Sequence, residues 1–109
     1  KVPEKVWPLR IWYMYDQDVC TLIDVNERER KVKIKNYTDK IMFRAFGVME
    51  EPDYNQYIEF LESRCFPESR DKMKLILKDL GLPFYDPIMI IEKTEGRMAE
   101  DDFWIRIER

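Results

Sequence analysis

Apolar and polar residues alternate along the first third of the chain, and then the period changes. The segments LRIWYMY (9–15) and VCTLIDV (19–25) are rich in the β-branched and aromatic residues that strands favour. Asp16-Gln17-Asp18 separates them, and the polar run NERER (26–30) leads into KVKIKNY (31–37). There Lys31, Lys33 and Lys35 fall on one face and Val32 and Ile34 on the other, the period of two expected of a half-buried strand. Connections this short join antiparallel neighbours, so the three strands form a meander. Pro3 and Pro8 make residues 1–8 a poor strand and leave them as an extended arm.

From Thr38 onward the spacing is helical. Thr38-Asp39 reads as the cap of a short helix over DKIMFRAF (39–46), ended by Gly47. Asp53 with Gln56 three positions later forms a capping box. It opens a helix whose apolar stripe runs Tyr54, Tyr57, Ile58, Leu61, Cys65. Pro67 bars its continuation and disfavours helical dihedrals at Phe66. Met73, Ile76, Leu77 and Leu80 then mark a second amphipathic helix, closed by Gly81 and Pro83. Asp86-Pro87 is the N-cap and first residue of a third, with Ile88 and Ile91 inward and Gly96 at its end. The tail DFWIRIE (102–108) alternates again and reads as a strand returning to the edge of the meander. The expected architecture is a single α+β domain over residues 1–109, a three- to four-stranded antiparallel sheet packed against three to four short helices.

Composition narrows the chemistry. The chain of 109 residues contains no histidine and two cysteines, Cys20 and Cys65. Without histidine there is no Cys–His or Ser–His nucleophile pair, and the commonest general base and metal ligand are missing. Two lone cysteines make neither a disulfide framework nor a structural zinc site; both are expected to be buried thiols. Cys65 lies in RCFPESR (64–70), where flanking arginines would lower a thiol pKa, but no partner base accompanies it. The stretch reads first as a helix–helix junction. No catalytic residue, metal or cofactor is expected. No apolar run approaches the roughly 18 residues needed to span a bilayer, and no signal-peptide pattern is present, so the chain is expected to be cytoplasmic.

The net charge of −3 hides an asymmetry. Residues 1–49 carry 10 Lys/Arg against 7 Asp/Glu, whereas residues 50–109 carry 9 against 15. A dipolar surface of this kind suits a protein partner of complementary charge. The candidate partner-binding residues are Arg64, Arg70, Glu100, Asp101, Asp102 and Trp104, types that dominate binding hot spots. The competing reading is an internal clamp in which Arg64 or Arg70 ties the helix corner to the C-terminal strand. Arg28, Arg30, Lys31, Lys33 and Lys35 form a second candidate set, able to follow a nucleic-acid backbone. Lysines alternating on an exposed strand equally guard a sheet edge, so direct nucleic-acid binding is disfavoured.

Residues 60–105, FLESRCFPESRDKMKLILKDLGLPFYDPIMIIEKTEGRMAEDDFWI, resemble a segment of small proteins from Firmicutes and their mobile elements. They also resemble a stretch near the N-terminus of HipA-like serine/threonine kinases in those bacteria. The shared positions are the aromatic at 60, Arg64, Pro67, Arg70, the stripe Met73/Ile76/Leu77/Leu80, Gly81, Asp102 and Trp104, and they cover under half the chain. Kinase machinery is absent from the sequence: no Gly-rich loop, His-Arg-Asp catalytic loop or Asp-Phe-Gly. The resemblance therefore implies a recognition module from a mobile element. The leading expectation is a non-enzymatic protein-binding module, most specifically an inhibitor of a host defence nuclease, anti-CRISPR-like. The alternatives are an antitoxin-type partner of a HipA-like kinase and a nucleic-acid-binding accessory.

Overall fold

The alternating segments form the expected strands, and the C-terminal tail joins them. In the computed structural model, which describes residues 1–109, β1 (Leu9–Tyr15), β2 (Asp18–Asn26) and β3 (Lys31–Asn36) make the meander, and β4 (Phe103–Glu108) pairs with β1. Every pairing is antiparallel and the strand order is β3-β2-β1-β4. The fold is α+β. Asp16 turns the first hairpin at φ 50°, a left-handed conformation that aspartate tolerates. A bulge shifts the register between Tyr13 and Met14, and Cys20, passed over by that register, packs into the core.

Helices α1 (Tyr54–Ser63), α2 (Met73–Leu80) and α3 (Pro87–Thr94) follow the signals in the chain. Asp53 and Gln56 close a reciprocal capping box on α1. Asp86 caps α3 with Pro87 in its first turn, and Gly81 ends α2 in the left-handed region. Residues 39–46 depart from expectation. Instead of a capped helix there is a single 3₁₀ turn, Ile41–Phe43, flanked by extended Lys40 and Arg44. The Thr38 hydroxyl accepts from the nearby Lys40 N–H, closing a tight local turn, and Arg44 Nε donates back to the Thr38 carbonyl. So short a segment cannot offset the cost of helix nucleation. The third helix also stops earlier than Gly96, because Glu95 already adopts φ 60°.

The helices cover one face of the sheet. Leu9, Ile11 and Tyr13 of β1, Ile23 and Val25 of β2, and Ile105 of β4 pack there with Tyr57, Phe60 and Leu61 of α1, Leu77 of α2, and Ile88, Ile90 and Ile91 of α3. Tyr13 stacks on Phe103 at 4.8 Å and meets Phe60 edge-on at 5.0 Å. The Tyr57 hydroxyl is buried with no protein hydrogen-bond partner, and burial pushes its pKa up. Desolvating a hydroxyl without a partner is unfavourable. Tyr57→Phe is expected to raise stability by about 1 kcal/mol in urea denaturation, and a loss of stability would contradict that account.

The opposite face carries no helix. Register aligns Lys33, Asp24, Arg10 and Glu108 in one row, and Lys35, Leu22, Trp12 and Arg106 in the next. The N-terminal arm is fastened across part of this face. Arg10 Nη2 donates to the Pro3 carbonyl at 2.9 Å, while Lys35 Nζ and the Tyr37 hydroxyl donate to that of Lys1. Leu22 and Arg10 are consequently as buried as core residues. No helix is long and apolar enough to cross a membrane.

Candidate interaction surface

The capping box fixes where α1 begins and Pro67 where the chain must leave it, so Arg64 emerges at the C-terminal end of α1 pointing into the fold. Its Nε donates to the Gly96 carbonyl, its Nη1 and Nη2 to the two Asp101 oxygens, and Nη2 also to the Phe103 carbonyl, each at 3.0 Å. The side chain is 7% exposed. Of the two readings of this arginine, the geometry is that of the internal clamp, and its guanidinium is occupied by the protein itself. The planar fork suits this task because it can serve a carboxylate and two carbonyls at once. Gly96 permits the approach: a Cβ there would lie 3.1 Å from the Ile105 side chain, at a φ of +62°.

Asp101 also accepts from the Phe103 N–H at 3.0 Å. The Arg64 hydrogen bonds, more than this backbone contact, hold its pKa below the usual carboxylate value. A carboxylate depressed in the folded state contributes stability that is present above its unfolded pKa of about 3.9 and lost as pH falls through its folded pKa. The fold is therefore expected to weaken below about pH 4, and Asp101→Asn should flatten that acid limb in a pH series of urea midpoints. An unchanged limb would assign acid sensitivity to other carboxylates.

The remaining candidates scatter. Arg70, Glu100 and Asp102 are exposed, whereas Asp101 between the two acids is held by Arg64. No group of three or more Cys, Asp or Glu side chains is placed to hold a metal ion. Cys65 is buried beside the Pro87 carbonyl, and burial pushes its thiol up to about 12, far from a thiolate at neutral pH. Burial also raises Cys20. A cleft of about 280 Å³ opens at the corner between Arg64, Pro67, Arg70, Arg97 and Glu100, its deepest cation already paired.

Trp104 is half-exposed on the uncovered face, its indole N–H donating to the Asp16 carbonyl at 2.7 Å. The Arg97 guanidinium lies 4.9 Å above the ring. Trp12 is treated alike: its N–H donates to Glu108 at 3.0 Å, and Arg106 sits over it at 4.9 Å. Lys33 covers Trp7 at 4.8 Å. Each indole thus holds at least one cation against its ring, and Trp12 has Arg10 at 5.8 Å as well. Among the basic set, Arg28, Arg30, Lys31, Lys33 and Lys35 are all exposed. Arg30 stacks on Tyr54 at 4.4 Å, and Lys31 pairs with Glu29 at 3.2 Å.

Two features were invisible in the linear pattern. One is the ion pair of Arg10 with Asp24, at 2.7 and 2.9 Å, because the alternation places Arg10 on the outer face and only the folded arm buries it. The other is the Glu95 carbonyl, which serves the backbone of β4 by accepting from the Ile105 N–H at 2.7 Å. No protein-family model, curated protein or solved structure matches the chain.

Proposed function

We propose that this chain is a non-enzymatic protein-binding module that meets its partner through the uncovered sheet face. The observation that carries the reading is a four-stranded sheet covered by helices on one side only, whose other side sets Met14, Trp104, Arg106 and Arg97 close together. Tryptophan and arginine on a rigid strand platform are the residue types that anchor protein interfaces. The exposed cations above the rings supply charge without leaving both indole faces free for bases, which favours a protein over a single-stranded nucleic acid. The missing histidine and the two raised thiols likewise speak for binding over catalysis.

Within this class, the finer reading is an inhibitor of a nucleic-acid-handling defence nuclease from a bacterial host. Its support is the acidic excess of residues 50–109, 15 Asp/Glu against 9 Lys/Arg, which includes the exposed Glu100 and Asp102 close to Trp104 in the chain. An acidic surface of this kind is complementary to a basic nucleic-acid channel. The test adds purified protein to a guide-loaded CRISPR nuclease and its DNA substrate. Stoichiometric inhibition is expected, with Trp104→Ala weakening it at least about tenfold, as for an interface anchor. Full cleavage at large molar excess would remove the nuclease reading. Capture of a protein partner indifferent to Trp104→Ala would move the interface off this face.

A further inference from the structure

The two edges of the sheet differ. At β4 the outward backbone groups are engaged over the first half of the strand: the Phe103 N–H donates to Asp101, Arg64 donates to the Phe103 carbonyl at 3.0 Å, and Glu95 accepts from the Ile105 N–H at 2.7 Å. At β3 the Tyr37 N–H bonds to the Cys20 carbonyl at 2.9 Å, and antiparallel parity then directs the backbone of Lys31, Lys33 and Lys35 toward β2. The N–H and C=O groups of Val32 and Ile34 point away from the sheet. No turn, loop or side-chain hydrogen bond reaches them. Beside them runs a groove of about 740 Å³ between the strand and residues 50–54, with Trp7, Pro52 and Tyr54 among its walls.

We propose that the β3 edge takes an extended segment of a protein partner as a fifth strand, and that this segment alternates acidic and apolar residues. A strand added there would gain main-chain hydrogen bonds from Val32 and Ile34, with specificity coming from alternate side chains. On the outer face its side chains lie directly across from Lys31, Lys33 and Lys35, where cross-strand charge pairing favours carboxylates. On the inner face they meet half-buried Val32 and Ile34, which favours apolar residues. Glu50, Glu51 and Asp53 on the opposite wall disfavour a uniformly acidic segment, so the alternation is the recognised feature. A second copy of this chain is the poorer occupant. Symmetric antiparallel pairing of two β3 edges through Val32 and Ile34 sets lysine opposite lysine in every register, and like charges directly opposed are destabilising.

The test titrates ¹⁵N-labelled full-length protein with a short peptide of alternating glutamate and valine. Lysine–valine and block-acidic peptides of the same length serve as comparisons. Binding should protect the Val32 and Ile34 amides from exchange and leave the Lys33 amide, already in the ladder, unchanged. Ile34→Pro removes an outward N–H that makes no bond to β2, together with the Ile34 side chain on the inner face, and should weaken binding at least about tenfold, as should Lys33→Glu combined with Lys35→Glu. Should Ile34→Pro unfold, a peptide N-methylated on its pairing edge must lose binding to the wild-type chain. Absence of binding at millimolar peptide, equal binding of the comparison peptides, or unprotected Val32 and Ile34 amides in the bound state would each overturn the proposal. So would concentration-dependent dimerisation through β3, which would make a second copy the occupant. Trp104→Ala should leave peptide binding intact, so failure of the reading above and failure of this one are separately visible.

Discussion

Arg64→Ala is expected to lower stability by about 3 kcal/mol, the low end of the range for removing one partner of a buried, hydrogen-bonded pair, because the Asp101 side chain is 29% exposed. Asp101 would keep its charge beneath the helix corner with only the Phe103 N–H to serve it, and the Gly96 and Phe103 carbonyls would lose their donor. Since domains of this size are stable by about 5–15 kcal/mol, the variant should unfold at a much lower urea concentration, or fail to fold at all. Arg64→Lys keeps the charge but not the fork, and should recover less than half of the loss. A cycle with Asp101→Asn separates the pair's coupling from the lost carbonyl bonds. Arg64 also occupies the Phe103 carbonyl at the β4 edge, so the variant should aggregate more readily from partly folded states. A loss below about 1 kcal/mol would place Arg64 among ordinary surface ion pairs and dismiss the clamp.

Removal of Arg10 should act on the other side of the sheet. The guanidinium is 4% exposed, Asp24 only 13%, and the Pro3 carbonyl completes the contact. Arg10→Ala leaves a nearly buried carboxylate without its cation and is expected to cost about 3 kcal/mol. It should also free the arm, since one of its anchors is gone. Trypsin cleavage after Lys5 is expected to accelerate well beyond what the loss of global stability predicts. A destabilised variant whose arm stays protected would show that Lys35 and Tyr37, through the Lys1 carbonyl, suffice to hold it.

These predictions rest on contacts of different legibility. The strands of the meander, both side-chain caps and the Gly81 stop were readable because each is a local rule: a period, a cap, a residue that tolerates positive φ. The 39–46 segment misled for the same reason. It carries cap-like residues and apolar spacing, but so short a segment settles for one turn once Phe43 and Phe46 find the core. At the candidate site the corner was foreseen as a junction and the clamp as one of two options. Which arginine would form it was not foreseen. Arg64 and Arg70 stand either side of Pro67, and only the end of α1 decides that the first points inward while the second stays in solvent.

By itself the sequence determined the α+β class, the order of the elements and the faces of each strand, because hydrophobic period and capping chemistry act over a few residues. It also excluded histidine-based catalysis outright. Only the tertiary structure decided that β4 docks on β1, that Arg10 and Arg64 become buried, and that one sheet edge is partly closed while the other stays open. Those outcomes depend on groups far apart in the chain, such as Arg64 with Phe103 and Arg10 with Pro3, Asp24 and Glu108. A buried charge or an unpaired backbone edge is a property of what surrounds it, and no local pattern encodes its surroundings.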